Sequence, residues 1–306
     1  MCLAALSIGA SASFPLVLAA NRDEFFARAA APMSWWSPEP DGPRVLAGRD
    51  LEAGGTWLGL GEQGRLALLT NVREPALHSP LAPSRGQLVT DWLTSGLNAP
   101  AFRARHAPHA FNGYNMLLAD ASGEGWAWTS NRADDLAWLG AGTHGLSNAA
   151  LDTPWPKVLA LKSRLAAAVG AADATARSAG RCSADLLAVS LLRALADRTP
   201  APDELLPSTG VARDLERMLS PAFIDSPTRG YGTRCSTVVI TECSGGEAIT
   251  HVFELTHDDP AARAANEYLL RAPMASIDDD ASVLKRLHGF VKFRLPGWSA
   301  SPVTSS

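Results

Sequence analysis

The sequence has few cysteines, and none of them is paired in a way that suggests a scaffold. Its 306 residues contain four, and no two are spaced as CxxC: Cys2, Cys182, Cys235 and Cys243. Four thiols are too few for a disulfide framework, and without CxxC pairs a zinc site built on thiolates is not indicated. This usage of cysteine favours a reducing, cytoplasmic setting.

Concentrated positive charge is also lacking. Lys and Arg number 27 against 31 Asp and Glu, which gives a formal net charge of −4 and an isoelectric point near 6.0. Because no basic run is present, the sequence offers no cluster of positive charge that could bind nucleic acid or an anionic membrane surface. The seven histidines lack the HxxxH or HxxEH spacing of zinc sites. We therefore expect neither a nucleic-acid partner nor a metal.

The first 21 residues, MCLAALSIGASASFPLVLAAN, carry no charged side chain. A secretory signal would need a positive region before its apolar stretch, and no Lys or Arg precedes Arg22. Pro15 breaks any helix through this segment. Residues 3–8 and 14–20 therefore predict two short strands around a turn, with no membrane-spanning segment. A cleaved signal is the alternative, since the small residues at 10–13 fit a cleavage site.

Strand patterns come first along the chain, helical patterns cluster in the middle, and strands return. Strands are predicted in hairpins at 54–72 and 114–129, at 136–148, and as a pair at 233–241 and 249–256. Amphipathic helices are predicted at 85–95, 152–170, 183–197, 211–219, 260–270 and 281–291. Because β-α-β alternation is absent, we predict one α+β domain over residues 1–306 with layered antiparallel sheets. The last ten or so residues, rich in Pro and Ser, are expected to fray.

Cys2 has the clearest chemical potential in the sequence. Removal of the initiator methionine, which is normal before so small a residue, would place its thiol and an α-amine on one N-terminal residue. Such an amine has a pKa of about 7.7–8.0 and can take the thiol proton directly or through water. The other interpretation is a small buried apolar residue at a strand end. The residues alone leave both interpretations open.

Polar residues at strand ends are the candidate partners of this thiol. Asn21 and Asp23 alternate along one strand, so they share a face while Arg22 takes the other. Asn71 and Asn148 each end a further predicted strand. An N-terminal nucleophile needs an oxyanion hole and groups that hold its amine. Taken singly, strand-end asparagines are equally well explained by turn formation.

Taken together, several motifs resemble one family. They are M-C at the start, L-A-A-N-R-D-E-F at 18–25, G-G-T-W-L-G at 54–59, L-T-N at 69–71, N-G-Y-N at 112–115, L-S-N at 146–148 and T-P-W-P-K at 153–157. This series resembles the NRDE family, known in animals as the transport and Golgi organisation 2 proteins, over residues 1–160 and more weakly through GTRCSTVV. The family is similar to N-terminal-nucleophile amidohydrolases of the choloylglycine hydrolase and penicillin V acylase type. The resemblance implies a four-layer αββα sandwich of antiparallel sheets.

The resemblance also implies roles for individual residues. Cys2 matches the nucleophile, and Asp23 matches the aspartate that holds the α-amine. Asn71 falls where an oxyanion donor sits after a strand. Asn148 matches the asparagine of a T-N motif, and Arg234 matches a late arginine at a strand start.

One departure from the hydrolase pattern concerns charge next to the thiol. The hydrolases usually carry an arginine three residues before the aspartate, where this chain has Ala20. Arg22 is close in sequence, but we expect it to face away from the thiol. Candidates for substrate binding are Asn21, Arg22, Trp57 and Asn115.

Two functions follow as hypotheses. The first is a hydrolase of a linear C–N amide in a small acylated or lipid-like substrate, which requires no cofactor. The second is a non-catalytic protein that holds haem, a lipid or acyl-CoA in the same pocket and passes it on; Cys2 or a histidine would then ligate haem iron. An intact set of nucleophile partners favours the first, and the missing arginine favours the second. The Ala- and Arg-rich composition suggests a bacterial source.

Overall fold

The computed structural model describes residues 2–106, 110–120, 125–179, 183–271 and 282–298, so Cys182 and residues 299–306 of the C-terminal stretch lie outside it. The strands of the described residues are β1 (Cys2–Ile8), β2 (Leu16–Phe25), β3 (Ala30–Trp36), β4 (Val45–Asp50), β5 (Leu58–Gly61), β6 (Leu66–Asn71), β7 (Tyr114–Ala119), β8 (Trp126–Ser130), β9 (Ala137–Leu139), β10 (Gly142–Leu146), β11 (Asp225–Ser226), β12 (Tyr231–Ser244), β13 (Glu247–Thr256) and β14 (Phe290–Pro296). The α-helices are α1 (Gly86–Thr94), α2 (Ala99–Arg105), α3 (Pro156–Ala179), α4 (Ala184–Leu195), α5 (Arg213–Met218) and α6 (Pro260–Arg271). None of these helices is both long and apolar enough to cross a membrane.

The strands form two antiparallel sheets. The first has the order β10-β1-β2-β12-β13-β14, with β11 beside β12, and the second runs β3-β4-β5-β6-β7-β8-β9. Strands β1 and β2 lie inside the first sheet and are buried on both faces, which explains why residues 16–20 read as an uninterrupted apolar run. The uncharged start of the chain is therefore part of the fold.

Apolar cores lie between successive layers. Helices α3, α4 and α6 cover the outer face of the first sheet through residues such as Leu161. The inner faces of the two sheets pack on each other, with Leu18 of β2 and Leu60 of β5 in the same cluster. Helices α1 and α2 cover the outer face of the second sheet, where Trp92 is fully buried. This order confirms the αββα sandwich predicted from the resemblance.

Several element boundaries differ from the sequence predictions. Strand β2 continues through the NRDE residues to Phe25, and α3 continues past Gly170 to Ala179. Strands β3 and β4 and helix α2 were not predicted. Of the helix expected at 281–291, only residues 282–284 of the described part are helical; the prediction was wrong from Lys285 onward, because residues 285–289 form turns and Phe290 begins β14, which pairs with β13 from Leu255 to Ile249. This pairing joins segments about 40 residues apart, so no local pattern encodes it.

Glu254 links the two sheets through a buried carboxyl group. It lies on β13 in the first sheet and accepts a hydrogen bond of 2.6 Å from the backbone N–H of Met33 on β3 in the second. Burial raises the pKa of Glu254 from 4.5 to about 7. Its proton is thus retained in the folded protein at pH values where the unfolded chain has released it.

We expect the stability difference between wild type and Glu254→Gln to depend on pH. Unfolding releases the Glu254 proton between pH 4.5 and about 7, so wild-type stability falls as pH rises through that window. The glutamine variant keeps the acceptor for Met33 but does not titrate. Its free energy of unfolding therefore rises relative to that of wild type by about 3 kcal/mol across the window. Urea unfolding of both proteins over this range measures the effect. Parallel stability curves would contradict it.

Candidate functional site

Cys2 lines a cavity of about 280 Å³ at one end of the space between the sheets. The side chain is buried, and the backbone carbonyl of Cys2 accepts a 3.0 Å hydrogen bond from the hydroxyl of Ser147, just after β10. Burial raises the pKa of the thiol. A base close to the sulfur is therefore needed before this thiol can act as a nucleophile at neutral pH.

Arg22 lines the same cavity, and the expectation that it faces away from the thiol was wrong. In the antiparallel register Cys2 is directly opposite Arg22, and residues directly opposite each other project to the same face. The guanidinium carbon lies 4.6 Å from the ring centroid of Trp57, which also lines the cavity. Arg22 opposes the effect of burial on the Cys2 pKa. It therefore supplies positive charge beside the sulfur.

Asp23 also lines the cavity, although its side chain leaves the face of β2 opposite to that of Arg22. Its carboxylate accepts a 2.8 Å hydrogen bond from the hydroxyl of Thr233, and burial raises its pKa. Lys157, in the first turn of α3, opposes that shift. The Lys157 ammonium is itself buried and donates to the carbonyl of Leu219 at 3.0 Å, and burial lowers its pKa to about 8. Lys157 ends the T-P-W-P-K motif but is not among the predicted site residues. Its burial, which is rare for an unpaired lysine, becomes visible only in the folded chain.

Asn71 and Asn148 meet where β6 of the second sheet approaches β10 of the first. The Asn148 side chain is buried and donates to the backbone carbonyl of Asn71 at 2.8 Å, so it positions the end of β6. The Asn71 side chain lines the cavity and has no hydrogen-bond partner among the described residues. Of these two predicted residues, only Asn71 lines the cavity.

Asn21 and Asn115 do not line the cavity. The Asn21 amide donates to the carbonyls of Leu195 and Ala222 at 2.9 and 2.8 Å, on the side of the sheet that the helices cover. Asn115 is fully buried and donates to the carbonyl of Ala149 at 2.9 Å. Both side chains hold backbone in place.

Arg234 also points elsewhere. It is the extra residue of an irregularity in the pairing of β12 with β2, between Thr233 and Cys235. Its guanidinium donates to the carboxylate of Asp258 at 2.7 Å and to the carbonyls of Phe25, the last residue of β2, and Arg28, in the connection to β3. Arg234 therefore fixes the loop after the NRDE residues and does not reach the cavity of Cys2.

A second, larger cavity of about 830 Å³ adjoins the first. The residues that line both are Glu24, Arg28, Asn71, His78, Arg85 and Asn112. Its other walls include apolar side chains: Phe25, Val72, Leu215 and Met218. A polar chamber with the thiol thus opens into a roomier chamber with an apolar lining. No motif marks Arg85 or His78, because they belong to a loop whose path depends on the finished fold.

Comparison with known proteins places the chain in a family. The model of the Transport and Golgi organisation 2 family matches residues 1–257. A Transport and Golgi organization protein 2 homolog from Bos taurus is 35% identical over 258 residues, which are 80% of this chain and 89% of that protein. The homolog from Homo sapiens is 34% identical over 249 residues, 78% of this chain and 86% of that protein. The chain therefore belongs to the Transport and Golgi organisation 2 family, as the NRDE motifs indicated.

Two further comparisons complete this picture. The Drosophila melanogaster protein of the family is 28% identical over 247 residues, 75% of this chain and 82% of that protein. These relatives are all animal proteins, so they lend no support to the bacterial source that composition suggested. Among solved structures, the Caenorhabditis elegans ortholog of N-acylethanolamine-hydrolyzing acid amidase matches with a TM-score of 0.43 and 12% identity, covering 78% of this chain and 92% of that one. A likeness at this level carries no argument about function.

Proposed function

We propose that this protein hydrolyses a linear C–N amide in a small acylated or lipid-like substrate, with Cys2 as an N-terminal nucleophile. The observation that supports it most is the shared cavity. One chamber is lined by Cys2 together with Asp23, Arg22 and Asn71. A nucleophile, a carboxylate that can hold an ammonium group and an oxyanion donor are the parts that this chemistry needs.

The reaction begins once Met1 has been removed. The α-amine of Cys2 takes the thiol proton, and Asp23 holds the resulting ammonium. The sulfur attacks the carbonyl carbon, and the carbonyl oxygen receives the electron pair while the Asn71 amide donates a hydrogen bond to it. The C–N bond then breaks, the ammonium returns its proton to the leaving amine, and an acyl-thioester remains on Cys2. Water attacks the thioester with the amine as base, which releases the acid and restores the thiol.

The adjoining chamber supports an acylated substrate. Its volume of about 830 Å³ lies within the range of small-molecule sites, and part of its wall is apolar. An alkyl chain placed there would leave its carbonyl group in the smaller chamber, where Cys2 and Asn71 lie. The substrate is therefore expected to carry an apolar acyl group.

Mass spectrometry of the protein after brief incubation with an N-lauroyl amide tests the proposal. We expect the N-terminal peptide to begin at Cys2 and to carry a lauroyl group that hydroxylamine removes, as a thioester requires. Alkylation of the thiol beforehand should prevent the adduct. A retained Met1, or turnover of the amide without any acylation of Cys2, would overturn the N-terminal-cysteine mechanism.

Binding without chemistry is the second candidate, and the state of the thiol favours it. Because burial raises the Cys2 pKa, the thiol is mostly protonated unless the α-amine acts on it. The same pair of chambers would then hold haem, a lipid or acyl-CoA for transfer. Saturable binding of such a ligand with neither acylation nor turnover of amides would favour this function.

A further inference from the structure

The smaller chamber contains a buried guanidinium group that is incompletely paired. Only 6% of the Arg22 side chain is exposed, and its Nη1 atom has no hydrogen-bond partner in the part of the chain that the structure describes. Its Nη2 atom lies 4.0 Å from the carboxylate of Asp50. Burying a charged group with incomplete pairing is costly, so an anionic ligand group close to this guanidinium would stabilise the arrangement.

Arg85 adds a second cation where the two chambers meet. Its Nη1 donates to the carbonyl of Gly113 at 3.0 Å, and no carboxylate of the described residues lies within ion-pair distance of it. Burial lowers the pKa of this guanidinium, with Glu24 and Glu74 opposing the shift. Glu74 forms a close ion pair with Arg132 instead of with Arg85. Arg85 is therefore a partly desolvated cation with no close counter-ion.

The N-terminus of α1 opens into the same chamber, since Ser84, Arg85 and Gly86 line it. No side chain caps this nine-residue helix, and its first turn contains no acidic residue. The Gly86 N–H has only a long contact of 3.4 Å with the Ser84 hydroxyl. The Leu88 N–H donates to the Arg85 carbonyl at 3.0 Å. The positive end of the helix dipole nevertheless attracts anions to this N-terminus.

The acidic residues that line this chamber accept hydrogen bonds from groups other than Arg22 and Arg85. Asp50 accepts from Arg28 at 2.7 Å and from the backbone of the turn that follows it. Asp23 accepts from Thr233, and Glu24 accepts from the N–H of Phe25 at 2.8 Å. None of them pairs closely with Arg22 or Arg85.

We propose that Arg22, Arg85 and the N-terminus of α1 form a subsite for an oxyanion group of the ligand, a carboxylate or a phosphate. Arginine suits this task because its planar fork matches both groups. Together with the apolar chamber beside it, the subsite defines an acylated amide whose polar half is anionic. This inference rests on the proposed function for the reaction, but the subsite itself can be tested by binding alone.

Three amides with one acyl chain separate the alternatives: N-lauroylglycine, N-lauroyl-phosphoethanolamine and the neutral N-lauroylethanolamine. Calorimetric titration of Cys2→Ala should give affinities for at least one anionic ligand about 10- to 100-fold above that for the neutral one, as expected for charge-assisted hydrogen bonds. The preferred anionic ligand tells carboxylate from phosphate. Equal affinities for all three would overturn the subsite.

Arg85→Gln should reduce the ratio of anionic to neutral affinity by about tenfold, and Arg85→Lys should restore part of it. Arg44→Gln is the matched control, because Arg44 is an exposed arginine paired with Glu62 and lines neither chamber. An unchanged ratio in Arg85→Gln would remove Arg85 from the subsite. If anionic amides bind selectively but are never hydrolysed by wild type, the subsite stands and the proposed function fails. If neutral and anionic amides are hydrolysed equally well, the proposed function stands and the subsite fails.

Discussion

Cys2→Ala is expected to reduce amide hydrolysis by about 10⁴-fold or more, because loss of the nucleophile removes the acyl-thioester route entirely. The fold should persist. The side chain lines a cavity, so its truncation enlarges an existing space rather than creating a new void in the core. The Cys2 carbonyl, which accepts from Ser147, is unaffected by the change. Alanine is also small enough for Met1 to be removed, so the α-amine is retained in the variant.

Steady-state hydrolysis of an N-lauroyl amide, together with thermal unfolding, measures this effect. Cys243→Ala is the matched control, because Cys243 is a thiol at the far end of β12 that lines neither chamber. We expect the control to keep wild-type activity. Substantial hydrolysis by folded Cys2→Ala would show that another group carries the reaction.

Arg73→Met is expected to lower the free energy of unfolding by about 3–5 kcal/mol, because it leaves a buried carboxylate without its counter-ion. Arg73 Nη1 donates to Glu216 at 2.5 Å, and the two side chains are 5% and 2% exposed. The guanidinium also lies 4.9 Å from the ring centroid of Trp155. Glu216 also accepts two hydrogen bonds from Thr209, which hold its carboxylate in the buried position.

Urea unfolding of three variants separates the charge effect from loss of packing. The double variant Arg73→Met with Glu216→Gln should be more stable than Arg73→Met alone, because the glutamine keeps an acceptor for Thr209 without a buried charge. Arg44→Met, which breaks the exposed pair with Glu62, should change stability by less than about 1 kcal/mol. A loss in Arg73→Met as small as in Arg44→Met would contradict the role of the buried pair.

The layered α+β architecture could be predicted from the sequence because its signals are local or carried by motifs. Gly245 and Gly246, both with positive φ, make the tight turn between β12 and β13, which joins the strand pair predicted at 233–241 and 249–256. The alternation of residues 21 to 23 also correctly placed Arg22 on the face opposite Asp23. The alternation does not give the register of β2 with β1, so the position of Arg22 directly opposite Cys2 was missed.

The rest of the site depends on contacts between distant segments. Arg85 comes from the loop before α1, and Lys157 comes from the start of α3. Each reaches the neighbourhood of Cys2 only after the sheets and helices have packed. Conversely, Asn21 belongs to the NRDE motif, but its hydrogen bonds serve the helix layer. A motif therefore identified the region, while the chemical task of each residue depended on the layer that its side chain enters.

The contacts of Ser147 and Asn148 have a consequence for how this site would tolerate change. The Ser147 hydroxyl donates a hydrogen bond to the carbonyl of Cys2 in the first sheet, and the Asn148 amide donates one to the carbonyl of Asn71 in the second. Two adjacent residues thus set the spacing between sulfur and amide across the gap between the sheets. Side-chain volume in the core between the sheets then governs that spacing as well as stability. Substitutions there, far from Cys2, should alter turnover more than equally destabilising ones beneath the outer helices.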